Sequence, residues 1–445
     1  MNHKPDWLQV ALVIFVVFAL GNTSFGWQAN AVEDRAETLS KSARALHVKS
    51  FEKIWKTIRD THWDSELVGE SWEKHRAELL PKVKAAKSGK EARQIMQELI
   101  GRLEQSHFGL ISKSSYEVIG GEEVKGGTND IGITIRLVEG GLAVTQVREG
   151  GPADQAGVKP GWQVTKIRDR DSAELIEKLR EAAHGPQRVE TLVGITTSGM
   201  TSGNGSKRIE MTFVDGQAQT RVIEMRCAEP PGTMATLGNL PPMRVSDKTM
   251  TVDGNIGYYW FNAFLDPVRI MPAYRKAIRN KKHSGGIIID LRNNFGGIAG
   301  MTMGMAGEFV KKPTQMGTMI TKGTKLKFFA NPRAKPIRVP VAVLIDECSI
   351  SSAEFLAGGL QDNGLGRVFG QRSAGLALPS VVEKLPNGDG FQYAIADYKS
   401  ASGEALEMKG VVPDEKIELR RADLLRDKDP TMKAALQWIK QQNAG

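Results

Sequence analysis

The stretch Gly286–Gly297, which reads GIIIDLRNNFGG, decides the fold of this chain. Its first half is a run of aliphatic residues without polar alternation, which is typical of a strand buried on both faces. Further strands are predicted at 256–261 and 339–345, with a helix near 268–279. Strands that alternate with helices indicate an α/β region whose sheet is at least partly parallel. We place this region at 245–445, with a last helix at 431–441.

Two different regions precede the α/β region. Residues 34–112 are rich in Lys, Glu, Ala and Leu with apolar residues at helical spacing, and they predict an N-terminal helical region. Residues 117–227 carry short apolar runs separated by glycine, which indicate strands, and a short helix near 152–156. The Gly-, Ser- and Thr-rich stretch 194–207 is expected to be a mobile loop.

The composition bounds the class of protein. A chain of 445 residues with 40% hydrophobic and 25% charged residues is globular and needs about two to four domains. This composition excludes a mostly disordered, collagenous or polytopic membrane protein. Two cysteines, Cys227 and Cys348, do not make a disulfide framework, although one bridge between them is possible. The scattered histidines give no metal-ligand spacing, so no metal or cofactor is expected.

The positive charge of the chain, +9 at neutral pH, is mostly spread along it, and we expect no nucleic-acid partner. The exception is a segment at 311–338, which holds eight Lys and Arg residues and no acidic residue. It is read as a basic loop. Such a loop is either a solvated surface or a contact with anionic lipid, cell-wall polymer or an acidic substrate.

The first residues resemble a secretory signal. Lys4 precedes an apolar run at 8–20, and the small-residue sequence 29–31 follows. The run is shorter than the ~20 residues that span a bilayer, so residues 1–31 predict a cleaved signal peptide or, alternatively, an N-terminal anchor. The chain is therefore expected to be exported to the periplasm or the outside of the cell.

Ser351 is the candidate nucleophile. It follows the strand at 339–345 and begins an apolar helix, where backbone N–H groups point outward and can stabilise an oxyanion. The glycine pair Gly296 and Gly297 offers a further N–H that a substrate carbonyl can approach. A serine at a helix start can also be a cap without chemistry.

The order of three segments makes the nucleophile the stronger interpretation. The segments 290–297, 349–362 and 406–414 follow the patterns DLRNN.GG, S.S..E...GGLQD and LE..GV.PD. In this order they resemble the carboxyl-terminal processing and tricorn-like serine peptidases over nearly the whole mature chain. The resemblance implies a multidomain α/β protein: a crotonase/ClpP-like ββα core at 245–445, an inserted PDZ domain at 117–227 and the N-terminal helical region. It also implies an endopeptidase that acts on polypeptides without a cofactor.

The resemblance assigns roles to single residues. The nucleophile maps to Ser351, and the oxyanion hole maps to the N–H groups of Ser352 and Gly297, with Gly296 beside them. The processing branch uses a lysine base where this chain has Leu376, so a Ser/Lys dyad at that position is excluded. The tricorn branch instead uses a tetrad, which here maps to Ser106, His107, Ser351 and Glu407. A histidine of ordinary pKa, ~6.5, can accept the serine proton at neutral pH.

The PDZ resemblance rests on the stretch 151–161, GPADQAGVKPG. In PDZ domains a peptide adds a strand beside a turn, and that turn maps to Asp130, Ile131, Gly132 and Ile133. Two other classes of function stay open on sequence alone, the first because the lysine is missing and the second because of the basic loop and the PDZ domain. One is a catalytically inactive protein of the same fold that binds a peptide or a lipophile; the other is a scaffold at a membrane or cell wall.

Overall fold

The computed structural model describes residues 39–113, 129–183, 188–203, 205–426 and 428–444. The predicted signal segment 1–31 lies outside these residues. Within the described ranges, no helix has the length and apolar character needed to cross a membrane.

The N-terminal helical region contains three helices, α1 Lys41–Thr61, α2 Glu70–Ala85 and α3 Gly89–Gly101. Ser40 and Ser88 cap α1 and α3 by accepting backbone N–H groups, as expected for serine before a helix. Their buried faces form one apolar core with strands from the far end of the chain. Those strands form the sheet β1-β20-β19, with β1 Gly109–Ile111, β19 Ser380–Lys384 and β20 Gly390–Ala394.

The middle region is a separate sheet with its own core. Its main strand order is β3-β4-β5-β8-β9, with β6 beside β5, and β2 pairs with β7. The strands are β2 Asn129–Asp130, β3 Ile133–Val138, β4 Gly141–Val147, β5 Gln163–Ile167, β6 Arg170–Asp171, β7 Ser202–Gly203, β8 Arg208–Val214 and β9 Thr220–Arg226. The helices are α4 Pro152–Gln155, α5 Ser172–Ala182 and α6 Val189–Met200.

The prediction of a mobile loop at 194–207 is wrong, because the first half of this stretch is the end of helix α6. Gly, Ser and Thr are weak helix formers, but packing overrides propensity here. Leu192, Val193 and Thr197 are buried, and Gly194 lets the helix approach its neighbours closely.

The α/β region is built on the sheet β12-β13-β14-β17-β18-β22. Only β12 is antiparallel, so the predicted parallel sheet is confirmed. The strands are β12 Asp247–Val252, β13 Ile256–Phe261, β14 Gly286–Asp290, β17 Val341–Ile345, β18 Arg367–Gly370 and β22 Glu415–Lys416. The helices are α7 Pro267–Ile278, α8 Ala299–Ala306, α9 Ser352–Asp362, α10 Arg421–Leu424 and α11 Pro430–Ala444.

Two smaller sheets complete the region: β16-β15-β21 and β10-β11. Their strands are β10 Thr233–Ala235, β11 Met243–Val245, β15 Thr314–Thr321, β16 Thr324–Ala330 and β21 Asp397–Ser400. The basic segment 311–338 is therefore mostly a β-hairpin, and its interpretation as a loop is wrong. Cys227 and Cys348 are both free and buried, so the possible disulfide is absent.

Candidate active site

Ser351 lies between strand β17 and helix α9, at the carboxyl ends of the parallel strands. Its backbone has φ 59° and ψ −117°, a region that residues with a Cβ rarely adopt. The Ser351 N–H is held by the Leu376 carbonyl at 3.1 Å and by Glu354 Oε2 at 2.9 Å. The side chain is fully buried, and its Oγ has no hydrogen-bond partner among the described residues.

The glycine pair after β14 lies directly against Ser351. A Cβ on Gly296 would come within 2.7 Å of the Ser351 Cβ, so only glycine fits there. The Gly296 carbonyl accepts the Phe264 N–H at 2.7 Å, and the Gly297 carbonyl accepts the Ser352 hydroxyl at 2.9 Å. These bonds fix the loop beside the first turn of α9, so the predicted oxyanion-hole residues Gly296, Gly297 and Ser352 come together.

Ser106, His107 and Glu407 also come together, although about 300 residues separate Ser106 from Glu407 in the chain. Glu407 Oε1 accepts the Ser106 N–H at 2.9 Å, and Glu407 Oε2 accepts the Ser106 hydroxyl at 2.8 Å. The Ser106 Oγ is 2.7 Å from His107 Nδ1. Because the Ser106 hydroxyl donates to the carboxylate, its oxygen accepts from His107, which therefore carries its proton on Nδ1.

His107 is fully buried with a left-handed backbone, φ 61°. Its other ring nitrogen, Nε2, has no hydrogen-bond partner among the described residues. Burial lowers the pKa of His107 to about 3. The imidazole is therefore neutral at physiological pH, with the lone pair of Nε2 unpaired.

One short segment connects the histidine group to the nucleophile. The Leu376 carbonyl accepts the Ser351 N–H, and the next residue, Ala377, donates its N–H to Glu407 Oε2 at 2.8 Å. Two backbone hydrogen bonds of adjacent residues thus connect Ser351 to Glu407, which holds Ser106 and, through it, His107. Burial raises the pKa of Glu407 to about 7, against the opposing effect of its N–H donors.

Leu376, at the position of the family lysine, belongs to a small apolar cluster. It is buried with Ile350 and Ala374, and Ile195 and Phe295 pack against this group. Its side chain is therefore part of the packing around the nucleophile.

Glu354 is a residue of the site that sequence reasoning missed. Its carboxyl group accepts the Ser351 N–H, the Ser373 hydroxyl at 2.7 Å, and the N–H groups of Gly375 and Leu376 at 2.7 and 3.2 Å. It ties the nucleophile turn to the segment that reaches Glu407. Burial raises its pKa to about 7. A signal was present, because Ser351 and Glu354 have the spacing of a capping box.

The middle region contacts the turn that carries Ser351. Arg136 of β3 is buried and forms ion pairs with Asp346 Oδ2 at 3.0 Å and Glu347 Oε1 at 3.1 Å. The Thr191 hydroxyl of α6 donates to the Glu347 carbonyl at 2.9 Å. Asp346 and Glu347 directly follow β17, so these bonds reach the residues just before the nucleophile.

The residues of the predicted peptide-binding turn run from the end of β2 to the start of β3. Asp130 forms an ion pair with Arg148 at 2.6 Å, and Gly132 has φ 77°, a left-handed conformation that suits glycine. Ile131 is fully buried and donates its N–H to the Thr201 carbonyl, while Ile133 begins β3. The four residues belong to the fold of the middle region, and their role stays a prediction.

Comparison with known proteins agrees with this architecture. Residues 255–417 match peptidase family S41, and residues 47–101 match the tricorn protease C1 domain. The chain is 24% identical over 395 residues to the carboxyl-terminal-processing protease of Synechocystis sp., covering 86% of this chain and 85% of that one. It is 22% identical over 374 residues to carboxyl-terminal-processing peptidase 2, chloroplastic, of Arabidopsis thaliana, covering 82% of this chain and 67% of that one.

Solved structures share the fold. The photosystem II D1 C-terminal processing protease has a TM-score of 0.56 at 19% identity and covers 85% of this chain and 94% of its own. Mature CPAF has a TM-score of 0.61 at 13% identity, and the match covers 90% of this chain and 97% of CPAF.

The fold and these matches define a serine peptidase. The chain carries a peptidase family S41 domain at residues 255–417 and a tricorn protease C1 domain at residues 47–101, and its relatives are carboxyl-terminal-processing proteases.

Proposed function

We propose that this chain is an exported serine endopeptidase that cleaves polypeptides through an acyl-enzyme on Ser351, with His107 as the general base. His107 Nε2 takes the Ser351 proton as Oγ attacks the scissile carbonyl, and then delivers it to the leaving amine. Ser106 and Glu407 orient the imidazole and stabilise its positive charge. The N–H groups of Ser352 and Gly297 bind the oxyanion, with Gly296 shaping the loop beside them.

The main support for this proposal is the hydrogen-bonded series Glu407–Ser106–His107. Among the described residues, His107 Nε2 and Ser351 Oγ both have no hydrogen-bond partner. Buried polar atoms are nearly always satisfied, so each unpaired atom needs an explanation. A nucleophile and base that engage each other and substrate during the reaction explain both.

A fluorophosphonate probe tests this proposal. Labelling of the wild type should be lost in Ser351→Ala and fall strongly in His107→Ala. Ser198→Ala is the matched control, because it removes an exposed hydroxyl outside the site. Labelling that survives Ser351→Ala, or full activity in His107→Ala, would sink the proposal. No labelling of the folded wild type would favour the inactive binding protein.

We further propose that the middle region is a PDZ domain that binds or gates the polypeptide substrate at Asp130–Ile133. The support is its contact with the nucleophile turn through Arg136, Thr191 and Ile195. A ligand that moves β3 or α6 would alter the surroundings of Asp346 and Glu347, and so the position of Ser351. A C-terminal peptide added in trans should change the rate of fluorophosphonate labelling, and Gly132→Val should abolish that change.

A surface contact is the third proposal, and it rests on a cluster of cations at the amino ends of the parallel strands. Lys282 precedes β14 and Arg338 precedes β17, whereas the Ser351 turn follows the other ends of these strands. The segments 275–282, 308–312 and 333–338 contain ten Lys and Arg residues, and their only acidic residue is Glu308.

Glu308 is almost fully buried and forms ion pairs with Arg275, Arg279 and Arg333. One carboxylate thus gathers three guanidinium groups at a surface with a large excess of positive charge. We name these segments the basic face and propose that it contacts anionic lipid, which leaves the active site on the far side of the sheet.

A further inference from the structure

His62, which directly follows helix α1, is buried at 1% exposure and has both ring nitrogens engaged. Its Nδ1 accepts the Asp64 N–H at 3.1 Å. The Asp64 carbonyl oxygen also lies 3.2 Å from Nδ1. Nε2 lies 2.9 Å from Gln105 Oε1, which can only accept, so Nε2 carries the proton and donates it to that bond. Gln105 immediately precedes Ser106 and His107, so this bond reaches the loop that supplies the proposed base.

The His62 ring also holds the other side of that loop. It stacks on Phe108 with ring centroids 5.9 Å apart, and on Trp63 at 4.2 Å. Phe108 directly follows His107. One side chain, at the end of α1, thus contacts the residues on both sides of the Ser106–His107 pair.

The loop needs such support because its backbone is strained. Glu104 and His107 both have positive φ, 51° and 61°, although neither is glycine. Conformations of this kind persist only where the surroundings over-determine them. Glu407 fixes Ser106 from one side of the loop, and β1 pairs with β20 just beyond it. His62 supplies the contacts from the helical region.

We infer that His62 is a positioning residue for His107: its Nε2–H bond to Gln105 and its stacking on Phe108 keep the imidazole aimed at Ser351. This inference rests on the proposed function. A histidine is suited to the task because it offers an acceptor, a donor and an aromatic face in one rigid group.

Three substitutions separate these contributions. His62→Gln places an amide donor near the Nε2 position, His62→Asn places an acceptor near the Nδ1 position, and His62→Phe keeps only the ring. A base displaced by about 1 Å costs about 100-fold in rate. We therefore expect kcat to fall 10- to 100-fold in His62→Asn and His62→Phe, with KM changed less than threefold. His62→Gln should recover at least a third of the wild-type kcat.

The matched control is His47→Asn, at a buried histidine within α1 whose Nδ1 bonds Asn387 instead of a residue of the loop. It should lower the melting temperature without lowering kcat. A purely structural role for His62 would give the same pattern in His62→Asn, and that result would overturn the inference. If His107→Ala is inactive while His62→Asn keeps its kcat, only the inference fails. If His107→Ala stays active, the proposed function fails first.

Discussion

At the residue scale, the candidate site combines backbone strain with buried, neutral side chains. Ser351 and His107 both have left-handed backbones, and such conformations cost about 1–3 kcal/mol each. Burial moves the pKa of His107 down and those of Glu354 and Glu407 up, so every shift favours the uncharged form. The surrounding hydrogen bonds must offset these costs, and the site is therefore sensitive to single substitutions.

The pH dependence of kcat/KM should report Glu407 rather than His107. His107, with a pKa of about 3, is already neutral throughout the usual assay range. The carboxyl group of Glu407, with a pKa raised to about 7, becomes ionised as the pH rises through 7, and only then accepts both Ser106 donors fully. We expect kcat/KM to rise between pH 5.5 and 8 with an apparent pKa of about 7.

Two variants test this assignment. Glu407→Gln should be slower at every pH, and its rise between pH 5.5 and 8 should be shallower, because only Glu354, whose pKa is also about 7, still titrates there. Glu404→Gln, a surface change three residues earlier, should keep the wild-type profile. An unchanged rise in Glu407→Gln would show that another group controls the rate.

The lowered pKa of His107 also predicts an acid-dependent loss of stability. Between about pH 3 and 6.5 the folded protein binds fewer protons at this site than the unfolded chain, so its contribution to stability falls as the pH decreases. Keeping the imidazole neutral at pH 5 costs about 2 kcal/mol relative to an unfolded histidine of pKa ~6.5. His107→Gln does not bear this cost.

Melting curves of the wild type and His107→Gln at pH 5 and pH 7.5 measure the effect. The melting temperature of the variant minus that of the wild type should be several degrees larger at pH 5 than at pH 7.5. The raised pKa values of Glu354 and Glu407 act with the opposite sign, but they are common to both proteins and cancel in the comparison. A difference that does not depend on pH would contradict the prediction.

At the element scale, the sequence predicted the strands and helices that carry the site, because buried strands such as β14 and β17 are short aliphatic runs. The sequence alone could place Ser351 and Gly297 near each other, since both follow parallel strands. The link from Ser106 to Glu407 could be inferred only from the family resemblance, because no periodicity relates residues so far apart. The role of Glu354 and the helical state of 194–200 depend on tertiary contacts, and local propensity does not report those.

At the element scale, substitution of Gly194 in helix α6 tests how the middle region docks against the nucleophile turn. A Cβ at this position would collide with Cys348 Sγ and come within 3.1 Å of Arg136 Nη1. Gly194→Ala should therefore push α6 away from the nucleophile turn, at a cost of about 1–3 kcal/mol, despite the better helix propensity of alanine. We expect a lower melting temperature and a changed labelling rate at Ser351.

Ser198→Ala, an exposed substitution in the same helix, is the control and should behave as the wild type. If Gly194→Ala is instead stabilised, as propensity alone would predict, the close approach of α6 to Cys348 and Arg136 does not constrain the docking of the middle region.

At the scale of the whole molecule, the candidate active site and the basic face lie at opposite ends of one sheet. The Ser351 turn and the glycine loop follow the carboxyl ends of β17 and β14, whereas Lys282 and Arg338 precede the amino ends. Helices α7 and α8 both follow the site-bearing ends and lead back to the basic face, where Arg275, Arg279 and Glu308 meet. The two functions proposed for the chain can therefore be altered separately.

Vesicle binding provides the separate test. Near an anionic membrane each Lys or Arg contributes about 1 kcal/mol. The triple variant Lys281→Gln, Lys282→Gln, Lys311→Gln should therefore lose about 3 kcal/mol, roughly 100-fold, of partitioning into phosphatidylglycerol-containing vesicles relative to pure phosphatidylcholine vesicles. Taking this ratio removes the contribution of the apolar N-terminal segment, which is expected to bind both kinds of vesicle.

The control variant, Lys74→Gln, Lys84→Gln, Lys90→Gln, removes equal charge from the helical region and should keep the wild-type ratio. Both variants should label with fluorophosphonate at the wild-type rate, because none of these lysines lies near Ser351. Equal losses in the two variants would mean that net charge, rather than the basic face, attracts the protein to the membrane.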